Sequence, residues 1–542
     1  MNARPVIERE LRVQSRNQST YWLRVASALI GTGVFGVIMI HQRQAPAILS
    51  TRLFATMHVV LLAAIWLLGP ALTADCLSRE KREGTLGLLV LTSLNTPTIV
   101  ASKALVHIVR GATFWMVSLP ILVMPLLLGG VTWIDLASAF ALEFCALLLA
   151  LASGLLASSL TGMAARGYWL GELIALFCAG LMALLLTLSF LRLARIPAPL
   201  TSTLKEYVGI TAFLNTGMFT ADLSGWSRLL SGVPGGRGIS AWLAALGLGC
   251  LFAVLFFLLA IAFAAWRLGR SWRDEPPSAR AIQRRRKWFA PRFLVPAFRR
   301  AMQRKLDRNP IAWLQEHSVG KRLSKWVLLG VLLLVEMPFG LGDGDSRQAG
   351  FQIELIVGLL LSLAFVSAQS FQQERQIGTW ELLLVSPLSP WQIVRGRLSG
   401  IGAMFLPAVL VSFLFLPGPE PSEFGVGPIG LPQLLAFSSF LAVPLTGLYL
   451  SLRLSNFLVT WLATFAFAVL WPVVLLSLIQ AGVYLLRERY HFDCEWLWPS
   501  GREGPHALVL FWLAQSAVAL VCGILLYRGL AKRTLGVASY CR

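Results

Sequence analysis

The chain has 542 residues, 56% of them hydrophobic and only 13% charged, with a formal net charge of +21 and a mean hydropathy of +0.69. A soluble globular chain carries roughly 25% charged residues, so that class is excluded and an all-α polytopic membrane protein remains. The positive charge does not read as a nucleic-acid footprint. Lys and Arg fall between apolar runs, where the positive-inside rule places cytoplasmic loops, so no nucleic-acid partner is expected.

The first segment carries Arg4, Arg9, Arg12, Arg16 and Arg24 with Glu8 and Glu10, and leads into an apolar run at about 22–40. Ala45-Pro46-Ala47 weakly resembles a cleavage site. The region before the run is nevertheless too long and too mixed in charge for a signal peptide, and further spans follow at once. The run therefore reads as a first span with the N-terminus inside. A bilayer core takes about 20 apolar residues per helix, and runs of that size recur at about 53–74, 104–128, 135–161, 168–190 and 241–266. Arg79, Lys81, Arg82, Lys103 and Arg166 lie in the connections expected inside, while Gly129-Gly130 makes a short turn on the other side. The loop at about 191–240 is rich in Gly and Pro and mixed in charge, which fits an external loop.

The stretch from Arg267 to Lys325 is the most basic, with Arg284-Arg285-Arg286-Lys287 and Arg299-Arg300. It reads as a topology anchor against anionic headgroups, with a docking surface for a soluble partner as the alternative. A second set of runs follows at about 325–342, 351–371, 398–417, 431–454, 457–484 and 506–529. The expected layout is about 12 transmembrane helices in two parallel six-helix repeats. Residues 1–270 form the first half, 271–324 a basic linker and 325–542 the second half, with both termini cytoplasmic.

The repeat is read most directly in a polar hairpin between the second and third spans of each half. Glu80 to Lys103, EKREGTLGLLVLTSLNTPTIVASK, aligns without a gap on Glu374 to Arg397, ERQIGTWELLLVSPLSPWQIVRGR, at an offset of 294 positions. Asn309-Pro310-Ile311 echoes Arg4-Pro5-Val6, and Leu445-Thr446-Gly447-Leu448 echoes Ala152-Ser153-Gly154-Leu155. In each hairpin a Glu closes the span and is expected to pair with neighbouring Arg residues, Arg79 and Arg82 in one copy and Arg375 in the other. Gly84 and Gly378 permit a change of direction, and Thr85 and Thr379 are placed to cap the short helix that follows. That helix presents Leu86, Leu88, Leu89 and Leu91 in the first copy, and Trp380, Leu382, Leu383 and Leu384 in the second. Thr96-Pro97 and Ser389-Pro390 then form hydroxyl N-caps with proline at the first helical position. A plain amphipathic connector on lipid is the simplest alternative.

The spacing Glu80-x-x-x-Gly84-Thr85, and Glu374-x-x-x-Gly378-Thr379-x-Glu381-Leu382-Leu383 followed by Ser386-Pro387-Leu388-Ser389-Pro390, resembles the loop between the second and third spans of ABC-2 type transporter permeases. Asn309-Pro310 likewise resembles the lead-in to the second half of fused permeases. The first copy departs from the pattern, with Gly87 where the family often has Glu and no first Ser-Pro. The resemblance implies that each hairpin carries a cytoplasmic coupling helix docked in an ATP-binding subunit. Glu80, Gly84, Thr85, Leu88, Leu89, Glu374, Gly378, Thr379, Glu381, Leu382, Leu383, Pro387 and Pro390 are then the coupling residues. It further implies two ABC ATPase partners that bind ATP and Mg, a bacterial-type inner membrane, and room for an accessory or periplasmic partner.

The sequence holds no Gly-x-x-x-x-Gly-Lys-Ser/Thr loop, so no phosphate cradle for ATP is expected in this chain. No cofactor and no catalytic residue are expected either. The six histidines are dispersed, no His-Glu-x-x-His occurs, and the seven cysteines show neither a disulfide framework nor zinc spacing. They read as small buried residues. Glu143, Glu172, Glu336 and Glu354 lie within apolar runs, where a carboxylate is costly and a functional candidate. Glu143 is the deepest, and is the candidate intramembrane polar site, either a proton or cation path or a partner for a polar group inside the bundle. Two rival functions are weighed. A secondary transporter of the major facilitator type also has six plus six spans, but Asp75 and Arg79 echo its loop motif only faintly. A membrane-embedded enzyme would need a clustered metal or acid–base site. Asp343-Gly344-Asp345, the paired-acid motif, reads as an external turn.

Overall fold

The computed structural model describes residues 46–91, 95–162, 164–193, 237–271, 309–317, 346–415, 431–454, 456–475 and 505–531. It also describes scattered residues between 7 and 36, 300 and 307, 325 and 333, and 478 and 482. Outside the described residues lie Arg4-Pro5-Val6, Glu336, Asp343-Gly344-Asp345, most of the 191–240 loop and most of the basic linker. Among the described residues there are no strands, and nine helices are long and apolar enough to cross a membrane. A tenth long helix, Leu431–Arg453, accompanies them. The first expected span of each half is described only in part. The chain divides into two compact units, Met1–Pro276 and Pro277–Arg542.

In the first unit, α1 (Pro46–Thr73) and the short α2 (Ser78–Glu83) form the second span, followed by α3 (Thr85–Val90) and α4 (Thr96–Leu127). Gly129 and Gly130, at φ 80° and 91°, make the expected tight turn. A reciprocal Thr132–Asp135 capping box then starts α5 (Trp133–Leu160). The helices α6 (Ala164–Leu193) and α7 (Arg237–Ser271) complete the unit. α5 is the most enclosed of the long helices and packs against α1, α4, α6 and α7.

Lipid gives helices no hydrophobic reason to associate, so close backbone approach and polar links must do it. Gly154 on α5 supplies the approach: a Cβ there would collide with Thr73 Oγ1 and the Pro70 carbonyl of α1. Thr73 Oγ1 donates to the Leu151 carbonyl at 2.9 Å. Gly171 of α6 meets the same spot, its missing Cβ lying 3.4 Å from Gly154 Cα.

The elements of the second unit are α8 (Pro310–His317), α9 (Ser346–Ile377), α10 (Trp380–Val385), α11 (Pro390–Phe415), α12 (Leu431–Arg453), α13 (Phe457–Phe465) and α14 (Pro505–Ala531). From α9 onward the helices follow a similar order to those of the first unit. α12 packs against α9, α11, α13 and α14. A Cβ on Gly447 of α12 would lie 2.5 Å from Ser367 Cβ and 3.2 Å from Thr464 Cγ2. Ser367 aligns with Thr73 at the hairpin's offset of 294, whereas Gly447 and Thr464 align with Gly154 and Gly171 at 293. The three-helix crossing is thus the same in both halves, with the register changed by one residue after the hairpin.

α13 continues through one π turn at Ala466–Leu470. Buried Gln515 of α14 donates there to the Ala468 carbonyl and to Ser439 Oγ of α12, both at 2.7 Å. Gly154→Ala is expected to lower the chain's thermal unfolding midpoint in detergent, an overpacking cost of about 1–3 kcal/mol. Gly247→Ala, where a Cβ meets open space, should leave it unchanged and serves as the control.

Candidate functional site

Each hairpin begins where a span runs out of helix. α2 and α9 both end in a left-handed glycine, Gly84 at φ 71° and Gly378 at φ 78°. A Cβ meets open space at both, so backbone conformation and not crowding requires glycine there. Closure differs between copies. At Gly378 two backbone bonds form, Thr379 N–H to Glu374 O at 3.0 Å and Gly378 N–H to Arg375 O at 3.3 Å, which is a Schellman ending. At Gly84 the glycine N–H bonds Glu80 O, the simpler single-bond ending. Thr85 and Thr379 do not cap the following helix as expected. Each hydroxyl donates backwards at 3.4 Å, to Glu80 O and Glu374 O respectively. The left-handed turn points the threonine at the open carbonyls of the helix just finished.

The expected partners of Glu80 and Glu374 also need correction. Arg79 pairs with Glu83 one turn on and Arg82 with Asp75, both at 2.8 Å, and Arg375 donates to the Leu452 carbonyl. Glu80 instead pairs with Lys103 Nζ at 2.5 Å. Glu374 pairs with Arg397, whose guanidinium also donates to Ser370 O. These residues are the first and last of the aligned hairpins. One buried ion pair therefore clasps both ends of each hairpin, with Lys103 and Arg397 buried and the two carboxylates nearly so.

Above each clasp lies a six-residue surface helix, α3 or α10. Its outward residues occupy the same aligned positions in both copies: Leu88 and Leu382 are 67% and 73% exposed, Leu91 and Val385 78% and 81%. Glu381 and Pro387 are exposed, and Leu383 and Pro390 half-buried; nothing is described of the Leu86 and Leu89 side chains. Trp380, expected on the presented face, is instead buried. Its ring stands edge-on to Phe371 at 5.4 Å, and the Arg397 guanidinium lies 5.1 Å from the centre of the same Phe371 ring.

The helix that follows starts as expected in the second copy. Ser389 and Gln392 bond reciprocally as a capping box, at 3.0 and 3.2 Å. In the first copy Asn95, not Thr96, is the N-cap, without a side-chain bond. Asn95 is the residue aligned with Ser389.

α8 docks beside the second clasp. Asn309 Oδ1 accepts from the N–H groups of Ile311 and Ala312 at 3.0 and 3.3 Å, while its Nδ2 donates to the Gln392 carbonyl at 2.9 Å. A Cβ on Gly396 would lie 2.6 Å from Asn309 Oδ1 and 2.9 Å from Ile311 Cβ. Glycine next to Arg397 is what lets this helix approach.

A second polar cluster sits inside the first unit. Glu143 is fully buried, and its two oxygens meet His58 Nδ1 and Trp115 Nε1, each at 2.8 Å. The carboxylate thus bonds a polar group inside the bundle, joining α5 to α1 and α4. Among the described residues, its position aligns with apolar sequence in the second half. Glu172 is half-buried, with Oε1 making no hydrogen bond within the protein, and nothing is described of the Glu354 side chain. Cys145 and Cys178 are buried and Cys76, Cys250 and Cys522 half-buried, all free thiols, with Cys145 Sγ 3.2 Å from Cys250 Sγ. No group of three metal-ligating residues occurs among the described residues.

His58, Trp115, Phe371 and Gly396 carry these arrangements, and none was singled out from sequence. Phe371 and Gly396 lie in or beside the aligned hairpin, where the repeat pointed; His58 and Trp115 had no such signal. In comparison with known proteins, residues 302–485, which run from the segment before α8 through α13, match the family model described as ABC-2 family transporter protein. No curated protein and no solved structure matches the chain.

Removing one partner of a buried ion pair costs about 3–5 kcal/mol. Arg397→Met is therefore expected to reduce stability by that order in a thermal or denaturant melt of the purified chain, and Arg397→Lys, which keeps the charge but loses the Ser370 bond and the Phe371 stack, by less. Glu143→Ala, which leaves the buried His58 and half-buried Trp115 without their carboxylate partner, should cost a similar amount in the same assay, and Glu143→Gln less.

Proposed function

From the ABC-2 family match of residues 302–485, which supports a permease, we propose that this chain is the transmembrane subunit of an ABC transporter. ATP hydrolysed on separate ATPase subunits drives substrate across the membrane, in the direction of export. The ATPases dock on α3 and α10, each helix seating its exposed apolar pair in a groove of one subunit. The observation that carries this reading is the recurrence of that pair, Leu88 and Leu91 against Leu382 and Val385, at aligned positions above a buried clasp. A connector resting on lipid needs apolar residues, but it does not need both its ends locked by an ion pair in each copy. A surface that receives force does, since the load must pass to the spans on either side.

The rest of the proposal follows from the sequence. The absence of a phosphate-binding loop assigns ATP and Mg to the partner. The basic connections support a cytoplasmic side for both hairpins and both termini, and the family resemblance supports a bacterial-type inner membrane. Two hairpins call for two ATPase subunits, and the halves that carry them form one permease.

The test is co-purification of the tagged, solubilised chain with the P-loop ATPase encoded beside it, followed by ATP-driven transport in reconstituted vesicles. A stable complex is expected. Leu88→Asp together with Leu382→Asp should release the ATPase while leaving the chain folded and inserted. Recovery of no ATPase, or transport that persists without ATP hydrolysis, would reject the reading.

A further inference from the structure

The two hairpins share a clasp but differ in the layer between clasp and surface helix. In the second, Trp380 is buried edge-on against Phe371, Phe371 lies under the Arg397 guanidinium, and Arg397 holds Glu374. These contacts form one continuous stack that ties α10 to the last turns of α9 and the first of α11. The aligned residues of the first hairpin are Leu86, Leu77, Lys103 and Glu80. The ion pair is kept, but both rings are absent, and an ammonium replaces the planar guanidinium that stacks on an aromatic face.

The approach to the clasp differs as well. α9 runs unbroken to Ile377 and closes with two backbone bonds. On the other side, α1 stops at Thr73, and residues 74–77 form a turn before α2. The Leu77 and Ser78 N–H groups that this break leaves open are taken by Ser158 Oγ of α5, at 2.9 and 3.1 Å. A load on Leu382 or Val385 thus reaches α9 and α11 through packed rings and continuous helix. A load on Leu88 or Leu91 passes through α2 and the clasp and then meets a turn before α1.

We propose that Trp380 is a positioning residue that fixes the second surface helix to its clasp, making the second hairpin the stiff drive element and the first a compliant one. This rests on the docking reading above. Trp380 is buried and so acts through the exposed pair it holds in place. A ring that only filled volume would stabilise the unit without setting the motion of α10, and that difference is measurable.

The experiment uses the full chain in lipid nanodiscs without any ATPase, its reactive cysteines replaced by serine, with a nitroxide at position 385 or at position 91. Spin-label motion is expected to be several-fold slower at 385 than at 91. Trp380→Leu should bring 385 to the level of 91 while leaving 91 unchanged, and Trp380→Phe should keep most of the restraint. Phe371→Leu repeats the test from the other side of the stack if Trp380→Leu does not yield folded chain. Equal motion at the two positions, or no response at 385 to loss of either ring, overturns the proposal.

A second arm uses the complex with the ATPase. Trp380→Leu should retain co-purification and ATP hydrolysis but lower substrate moved per ATP several-fold. Loss of the ATPase itself would make Trp380 a contact residue and overturn the positioning role. If no ATPase binds the unaltered chain, the docking reading fails, while the spin-label arm still decides whether Trp380 restrains α10.

Discussion

The structure of each half depends on one ion pair at the base of its hairpin. Glu80 with Lys103, and Glu374 with Arg397, close a loop of chain whose two ends must each continue into an apolar helix. Taking a carboxylate and a cation out of water is expensive, and their attraction offsets this only in good geometry. Such a pair is kept when its position matters more than its net energy. Here it fixes the distance between two long helices at the point where the hairpin joins them. The short helix above then rides on a set spacing, and its two outward apolar residues take the same place in both copies.

Below the clasps, the halves are held by a different device. With no water to expel between helices, contact comes from missing atoms: Gly154 against Pro70 and Thr73, and Gly447 against Ser367 and Thr464. Hydroxyls at these crossings return their bonds to carbonyls, as Thr73 does to Leu151. α5 and α12 are consequently central, and the polar side chains of their neighbours turn inwards. The His58–Glu143–Trp115 cluster is an addition to this scheme that joins three helices of the first half.

Features set by the local chain were legible in the sequence. Nine candidate spans among the described residues follow from hydropathy, Gly84 and Gly378 from the need for a left-handed residue after a helix, and the Gly129-Gly130 turn from its composition. Ser389 was legible as a cap because a hydroxyl directly before a proline is a local start signal. Features set by what meets across space were not. Arg79 and Arg82 stand beside Glu80 in sequence, yet the carboxylate turns to Lys103, because the helix points the two arginines at Glu83 and Asp75. The gap-free alignment had already matched Lys103 with Arg397, so the true partner was visible but unread. Trp380 was assigned to the outer face because a six-residue helix is too short for its period to separate inside from outside. His58 and Trp115 lie in uniformly apolar runs, where neither spacing nor composition marks which side chain will meet Glu143.

The change of offset from 294 to 293 gives the repeat a finer grain. It falls after the clasp and before the glycine crossing, within the stretch holding the third span, the turn and the start of the fourth. Each half thus behaves as two modules of fixed internal length, a clasped hairpin and a crossing, joined by a segment whose length has drifted. Thr73 and Ser367 belong to both modules, keeping the hairpin's register while touching the crossing's glycine, so the two remain in contact through α1 or α9 whatever the joining segment does. A residue gained or lost in that segment rotates one module against the chain leading to it without disturbing the inside of either. Changes of length between the two halves have room there, and have little room within Glu80 to Lys103 or around Gly154.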